Sequence, residues 1–418
     1  MCKYEESKYS KKSVAPLADW QPVMENKSSK SIAPNVILLS IVSFLNDLSS
    51  EMIMPILPMF LASLGGSGEV IGLVGGLRES ISSILKVLSG YWSDKTGKRK
   101  IFVYCGYGIS NFFKLLLAFS RTWPSAVAFA SLERLGKGIR TAARDAIIAD
   151  SMPAARGKGF GIHRALETVG AILGAVVAFS LYWFIKLDFK FIILVAGVIG
   201  FAALAPLRFV KESPAQPQNI TLKLGIKNLP RSLRLFILIS SIFALGNFSY
   251  MFFIIRAQQI LPGRLSVAAP ILLYVLFNIF YSALAVPLGG VSDRIGREKV
   301  IIFGYLMFSL TAAGFAIFNS LAAFVVLFAL YGVMYAAIDG NQRAYVSDLA
   351  KAHLKATALG TFHTATGLMA LPAGLIAGFL WEKIGPSATF VYGAGLGLAS
   401  VSLFVILKEH FKPQTETA

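Results

Sequence analysis

Three polar side chains stand close together early in this 418-residue chain: Asn46, Asp47 and Glu51. They interrupt an apolar run over about residues 35–62. Asp47 and Glu51 are four apart, so on a helix they share one face. A charge held near the centre of a bilayer costs about 2.5 kcal/mol or more, so it needs either a partner or a use. Two readings are open for this pair. The carboxylates take up and release a proton as their surroundings change, or they form permanent ion pairs with another segment.

The richest partner segment is 124–149. Glu133, Lys137, Arg140 and Arg144 fall at i, i+4, i+7 and i+11, which makes one helical stripe. Arg134, Gly138, Thr141 and Asp145 make the adjacent stripe with the same spacing. A charged face this wide cannot look at lipid, so it turns to a cavity or to other polar helices. Arg144 and Asp145 lie near one end of the segment. They are expected to pair with the charged loop around Asp94 and Arg99. Lys137 is a candidate ligand for a small solute.

Further polar groups continue the pattern. Arg78, Glu79 and Lys86 punctuate 69–91, and Lys114 lies in 101–120. His163, Arg164 and Glu167 open 158–185. The second part of the chain is sparser, with Asn247, Asn278, Asp339, Asn341 and Arg343 as its main polar candidates. Solute-binding candidates are therefore Asn46, Arg78, Glu79, Lys114, Lys137, Asn247, Asn278 and Asp339. For each, local packing and ion pairing is the competing reading. Tyr250, Phe252, Tyr274, Phe277 and Tyr335 either line a cavity or fill a core.

Several chemistries are absent from the sequence. There is no Gly-x-x-x-x-Gly-Lys-Ser/Thr loop, so ATP is not expected to drive the protein directly. The four histidines (His163, His353, His363 and His410) make no metal-binding pattern, and Cys2 and Cys105 suggest no disulfide framework. No cofactor is expected. The net charge of +18 accompanies 55% hydrophobic and only 15% charged residues. That combination argues for a membrane protein with basic loops and against a nucleic-acid partner.

The elements that position these groups follow from hydropathy. With about 20 apolar residues needed per crossing, the chain reads as twelve spans. Six lie over 35–62, 69–91, 101–120, 124–149, 158–185 and 189–209. Six more lie over 234–260, 267–289, 299–318, 321–347, 356–381 and 386–407. The fourth is the least apolar, so a hydropathy window would miss it. The fold class is thus an all-α polytopic membrane protein, with twelve transmembrane helices in two six-helix halves. The halves span 35–209 and 234–408, with a tail over 1–34, a Pro- and Lys-bearing linker over 210–233 and a tail over 409–418. A short surface helix is expected near Leu222–Leu229. Basic loops gather on the side of both termini, which places the termini in the cytoplasm.

An internal repeat supports the division. Gly90-Tyr-Trp-Ser-Asp94-Lys-Thr-Gly97-Lys-Arg99-Lys returns about 200 residues later as Gly289-Gly-Val-Ser-Asp293-Arg-Ile-Gly296-Arg297-Glu-Lys. Asp150 follows span four as Asp348 follows span ten, and Gly161-Ile-His163 is echoed by Gly360-Thr-Phe-His363. The doubled loop, the twelve spans and the central linker resemble the major facilitator superfamily of transporters over about residues 35–408. Three stretches are similar to motifs of its proton-coupled drug antiporters. These are Pro55-Ile-Leu-Pro58, Arg134-Leu-Gly-Lys-Gly138 with Lys137 in place of Gln, and the glycines Gly161, Gly170 and Gly174, after which Ala175 replaces the expected Pro.

The resemblance implies a secondary active transporter of a small organic solute, working by alternating access between two rocking halves. It implies proton-coupled efflux by antiport, carried by Asp47 with Arg134 and by Glu51 and Glu167, and a direct Arg134–Asp47 contact. The gating set would be Gly90, Asp94, Gly97, Arg99, Arg144 and Asp145, with Gly289, Asp293, Gly296, Arg297 and Arg343 in the second copy. Because the first copy has the richer neighbours, Asp94→Asn is expected to be more harmful than Asp293→Asn. Movement of an anionic phosphate- or carboxylate-bearing metabolite is the alternative, because basic groups outnumber acids around the spans. A receptor or adaptor on the same fold is the alternative of another class. The expected partners are a small-molecule substrate, protons and the lipid bilayer of the inner (plasma) membrane. A monomer is expected.

Overall fold

A computed structural model describes residues 32–153, 155–212, 225, 229–351 and 354–411. Most of the N-terminal tail, most of the expected Leu222–Leu229 surface helix and the end of the C-terminal tail lie outside the described residues. Fifteen α-helices are present among the described residues, and they stack into twelve columns. The first half comprises α1 (Pro34–Ile53) continued by α2 (Leu57–Ser63), α3 (Gly68–Thr96), α4 (Arg99–Ala118), α5 (Trp123–Ser151), α6 (Arg156–Trp183), and α7 (Phe189–Ala202) continued by α8 (Leu204–Leu207). The second comprises α9 (Arg231–Gly246) continued by α10 (Met251–Gln259), α11 (Leu265–Ile295), α12 (Arg297–Ile317), α13 (Leu321–Leu349), α14 (Lys355–Lys383) and α15 (Pro386–Ile406).

Ten of these columns are long and apolar enough to cross a membrane. The other two are α3 and α5, whose charged faces dilute their apolar residues. The expectation of a weak fourth span holds, and the second is weak for the same reason.

The columns that matter most are broken, and the sequence gives a local cause. An α-helical carbonyl accepts from the N–H four residues on. Pro55 and Pro58 have no N–H, so the carbonyls of Glu51 and Met54 lose their helical donors. Helix α1 ends at Ile53 and resumes as α2 at Leu57. The equivalent column of the second half breaks between Gly246 and Met251. Both breaks face the meeting surface of the halves.

The two cores differ. The second half packs rings on rings, for example Phe243 on Tyr305 at 3.9 Å and Phe253 on Tyr331 at 4.4 Å. The first half spends much of its interior on charge: Arg78, Lys114, Glu133, Arg134 and Arg140 are all buried.

The halves meet tightly at the end away from the doubled loops. Helices α3 and α14 cross there with almost no side chain between them. A Cβ added to Gly72 would lie 2.0 Å from the Gly374 carbonyl oxygen, and one added to Gly374 would lie 2.1 Å from that of Gly72. The Ser80 hydroxyl donates to the Gly367 carbonyl at 2.6 Å, and the Gly68 N–H donates to Glu382 Oε2 at 3.0 Å. Arg264, opening α11, lies 5.3 Å from the rings of both Tyr182 and Trp183 at the end of α6. At the other end each doubled loop pairs inside its own half.

Candidate functional site

The polar site lies where the two broken columns face each other. Glu51, at the end of α1, accepts a 2.6 Å hydrogen bond from the Tyr274 hydroxyl of α11, in the opposite half. The freed Met54 carbonyl accepts from the Tyr250 hydroxyl at 3.1 Å. Asn247, closing α9, has a buried side-chain oxygen without a hydrogen-bond partner. Asn278 donates to the Tyr274 carbonyl one turn back, at 3.1 Å.

Behind Met54 lies a buried ionic cluster. Glu133 Oε2 is 3.3 Å from Arg78 Nη2 and 3.3 Å from Arg134 Nε, and Ser110 donates to Glu133 Oε1 at 3.0 Å. Nη2 of Arg78 and Nη2 of Arg134 also donate to the Met54 sulfur, at 3.2 and 3.0 Å, and so does the Tyr250 hydroxyl, at 3.1 Å. Lys114 donates to the carbonyl and side-chain oxygens of Asn46, both at 3.3 Å, and to Ser49 Oγ at 3.1 Å. Its ammonium therefore ties α4 to α1. Arg78, Lys114 and Glu133 line one small cavity with Ser50 and Ile53.

The expected Arg134–Asp47 contact is not formed among the described residues. Arg134 turns to Glu133, its chain neighbour, and to Met54. Asp47 instead accepts from Asn46 Nδ2 at 3.4 Å, and Glu167, Lys137, Arg140 and Arg144 are the charges that act on it. Lys137 is exposed within α5. Glu79 accepts from Ser83 at 3.4 Å. Arg140 spreads over the Tyr107 ring, 4.5 Å from its centre.

Glu167 is held by two guanidinium groups, Arg144 at 2.6 Å and Arg164 at 3.3 Å, with the His163 ring nitrogen 3.1 Å away. Such a carboxylate suits a structural lock more than a group that exchanges protons. Arg164 also donates to the Tyr281 hydroxyl at 2.8 Å. Tyr281 donates to Asp339 at 2.9 Å, and Asp339 pairs with Arg343 at 2.7 Å. This chain of contacts crosses from one half to the other.

The doubled loops correct the expected gate. Arg144 and Asp145 pair with each other at 2.8 Å and do not reach Asp94 or Arg99. Arg99 instead joins Asp94 at 3.5 Å and forms a close pair with Asp150. In the second copy Arg297 joins Asp293 at 2.9 Å and Asp348 at 2.6 Å. Arg343 is taken by Asp339. The two copies thus build the same Asp–Arg–Asp triad, and the expected inequality between them loses its basis. Gly97 and Gly296 close α3 and α11 at φ +69° and +101°, a backbone region that disfavours a side chain. No such conformation or crowding singles out Gly289, around which a Cβ would meet open space, while one at Gly90 would meet Ala142 at 3.2 Å.

Asp150 and Asp348 form a matched pair in the repeat, and each meets the loop arginine of its own half. Met54 was overlooked altogether. Its signal was the Pro-x-x-Pro spacing, which frees its carbonyl and bends the chain so that its sulfur meets the arginines.

Comparison with known proteins gives a consistent result. The family model described as Major Facilitator Superfamily matches residues 39–262 and again 236–418. Among similar proteins is the Uncharacterized MFS-type transporter MJ1317 of Methanocaldococcus jannaschii, 55% identical over 91% of this chain and 97% of that protein. Multidrug resistance protein MdtH of Aeromonas hydrophila is 24% identical over 77% of this chain and 81% of its own. Among solved structures, nucleoside transporter NupG superposes with a TM-score of 0.74 at 16% identity, covering 90% of this chain and 99% of that one, a likeness of fold.

Proposed function

This chain belongs to the Major Facilitator Superfamily of membrane transporters, and from that premise we propose that it exchanges protons for a small organic solute. The observation that carries the coupling is an imbalance among the acids. Glu133, Asp145, Glu167 and Asp339 each have a cation within ion-pair distance. Asp47 and Glu51 have none among the described residues, yet both lie inside a membrane-spanning column; Glu79 has none either but is exposed. A carboxylate held inside such a column with no cation at ion-pair distance is not locked in a permanent pair, which leaves it for coupling.

Glu51 is the coupling residue best placed to act on the fold, because its hydrogen bond to Tyr274 joins the halves. Charged Glu51 accepts that bond strongly and favours the closed crossing of α3 and α14. Protonation changes the strength of this bond, so the charge of Glu51 acts on the balance between the two conformations. Asp47, one turn nearer the loop end, is the relay. With the basic loops in the cytoplasm of a plasma-membrane protein, the conformation described here is closed to the outside. In exchange, a proton bound from the outside is released to the cytoplasm as the solute leaves the cell. The similarity to MdtH, a multidrug resistance protein, supports this direction.

Liposomes reconstituted with the protein and holding an imposed pH gradient test this. Internal pH is followed while a panel of organic solutes is added. Wild type is expected to dissipate the gradient with at least one solute, and Asp47→Asn and Glu51→Gln are expected to abolish this while solute–solute exchange persists. Solute flux indifferent to the gradient would sink the proposal.

A further inference from the structure

The Met54 sulfur has two guanidinium donors converging on it, and the Tyr250 hydroxyl, whose single proton is shared between this sulfur and the Met54 carbonyl, stands beside them. A thioether is a weak acceptor. Guanidinium groups bind carboxylate or phosphate oxygens far better, often through two parallel bonds. Arg78 and Arg134 are 7% and 8% exposed and share a single carboxylate, that of Glu133. Lys114 lines a small cavity with Arg78 and Glu133. Two guanidinium groups at one carboxylate leave a formal surplus of one positive charge on this trio in a buried place. Met54 carries no charge to balance it.

We infer that Arg78, Arg134 and the Tyr250 hydroxyl form the binding site for the anionic group, carboxylate or phosphate, of the transported solute, and that the Met54 side chain occupies this site in its absence. Met54 is only half-buried, and its unbranched side chain is free to swing aside. The donors come from both halves: Arg78 from α3, Arg134 from α5 and Tyr250 from the break between α9 and α10. An anion there therefore bridges the halves, as a transported group must. Arg78 and Arg134 lie ten and eleven residues from the starts of their helices at Gly68 and Trp123, or about 15 Å from the closed end at 1.5 Å per residue. The site is thus inside the membrane, below the α3–α14 crossing.

The inference deepens the transport reading by naming the charge of its substrate, and it is tested without a gradient. Full-length protein in detergent at neutral pH is titrated with benzoate, phenyl phosphate, inorganic phosphate, benzyl alcohol and benzylammonium, with intrinsic fluorescence and thermal unfolding as readouts. Benzoate or phenyl phosphate is expected to bind, whereas the alcohol and the ammonium are not. Loss of one charged donor in Arg134→Gln is expected to weaken anion binding by about tenfold or more, and Tyr250→Phe by about threefold. Met54→Leu, nearly the same size, removes the competing acceptor and is expected to tighten anion binding several-fold.

That gain separates the proposal from a structural role, since a merely damaged site does not improve. It also keeps the test decisive if Arg134→Gln fails to fold. Absence of binding by every anion, equal binding of benzylammonium, or anion binding untouched by both Met54→Leu and Tyr250→Phe would each overturn it. Anion binding with the expected variant pattern, alongside flux indifferent to pH, would uphold this site and remove the proton coupling.

Discussion

The crossing of α3 and α14 makes a sharp prediction about Gly72. Its missing Cβ would sit 2.0 Å from the Gly374 carbonyl oxygen, where ordinary contact begins near 3.4 Å. In Gly72→Ala the two helices must therefore separate by about 1.4 Å. The neighbour is backbone, so no rotamer change relieves the clash. Overpacking of this kind costs about 1–3 kcal/mol. Alternating access requires this crossing to open in the other state, so the cost falls on the conformation described here and largely spares its alternative. At about 1.4 kcal/mol per tenfold, a 2 kcal/mol penalty moves the ratio of the two states by about 30-fold.

Spin labels at Lys95 and Arg294, both exposed on the doubled loops, report the separation of the halves at that end. Cys2 and Cys105 are replaced by Ser in this background. The label distance is expected to shift to a shorter population in Gly72→Ala. It should stay unchanged in Gly108→Ala, where a Cβ meets nothing within 4 Å. An unshifted distance distribution in a folded Gly72→Ala protein would refute the idea that this crossing must part during the cycle.

Three further outcomes follow from the same structure. Asp94→Asn and Asp293→Asn are expected to lower transport by comparable factors, within about threefold of each other, because each removes the same partner from an Asp–Arg–Asp triad; liposome flux of the two variants side by side checks it. Tyr274→Phe deletes the hydroxyl that joins Glu51 to the second half, so about 1–3 kcal/mol of attraction between the halves is lost, and the same spin-label pair should show a broadened distribution. Gly97→Ala places a side chain at φ +69° and is expected to cost about 1–2 kcal/mol; its thermal midpoint should fall below that of the matched Gly108→Ala.

The fold was legible because a membrane simplifies the rules. Backbone groups must pair within each segment, so apolar length alone counts columns, and a repeated loop alone reveals two halves. The weak hydropathy of α3 and α5 did not mislead, since their charges fall in helical stripes. The pairing of charges was legible only in part. Spacing put Glu133 and Arg134 on adjacent stripes but could not show that a single carboxylate would serve two arginines from different helices. The depth of Arg144 points to the loop, but depth does not say which way a long side chain turns. It turned inward to Glu167, leaving Asp150 to meet Arg99. The repeat held the correct answer, because Asp150 and Asp348 were already matched.

The comparison of the halves carries the argument one step further. Their loops and breaks are equivalent: the same triad at one end, and a broken first column in each. Their interiors are not. The second half stacks rings where the first holds Arg78, Lys114, Glu133, Arg134 and Arg140. Symmetric parts suffice for rocking, since both halves must move against each other by the same amount. Binding and coupling have no such requirement, and a duplicated charge cluster would add desolvation cost without adding a second substrate. The asymmetry then assigns the work. The first half supplies the charged groups, and the second supplies hydroxyls, from Tyr250, Tyr274 and Tyr281, that reach across to Met54, Glu51 and Arg164. All three contacts join the two halves, and two of them end on charged side chains, so tyrosines of the second half meet the charges of the first.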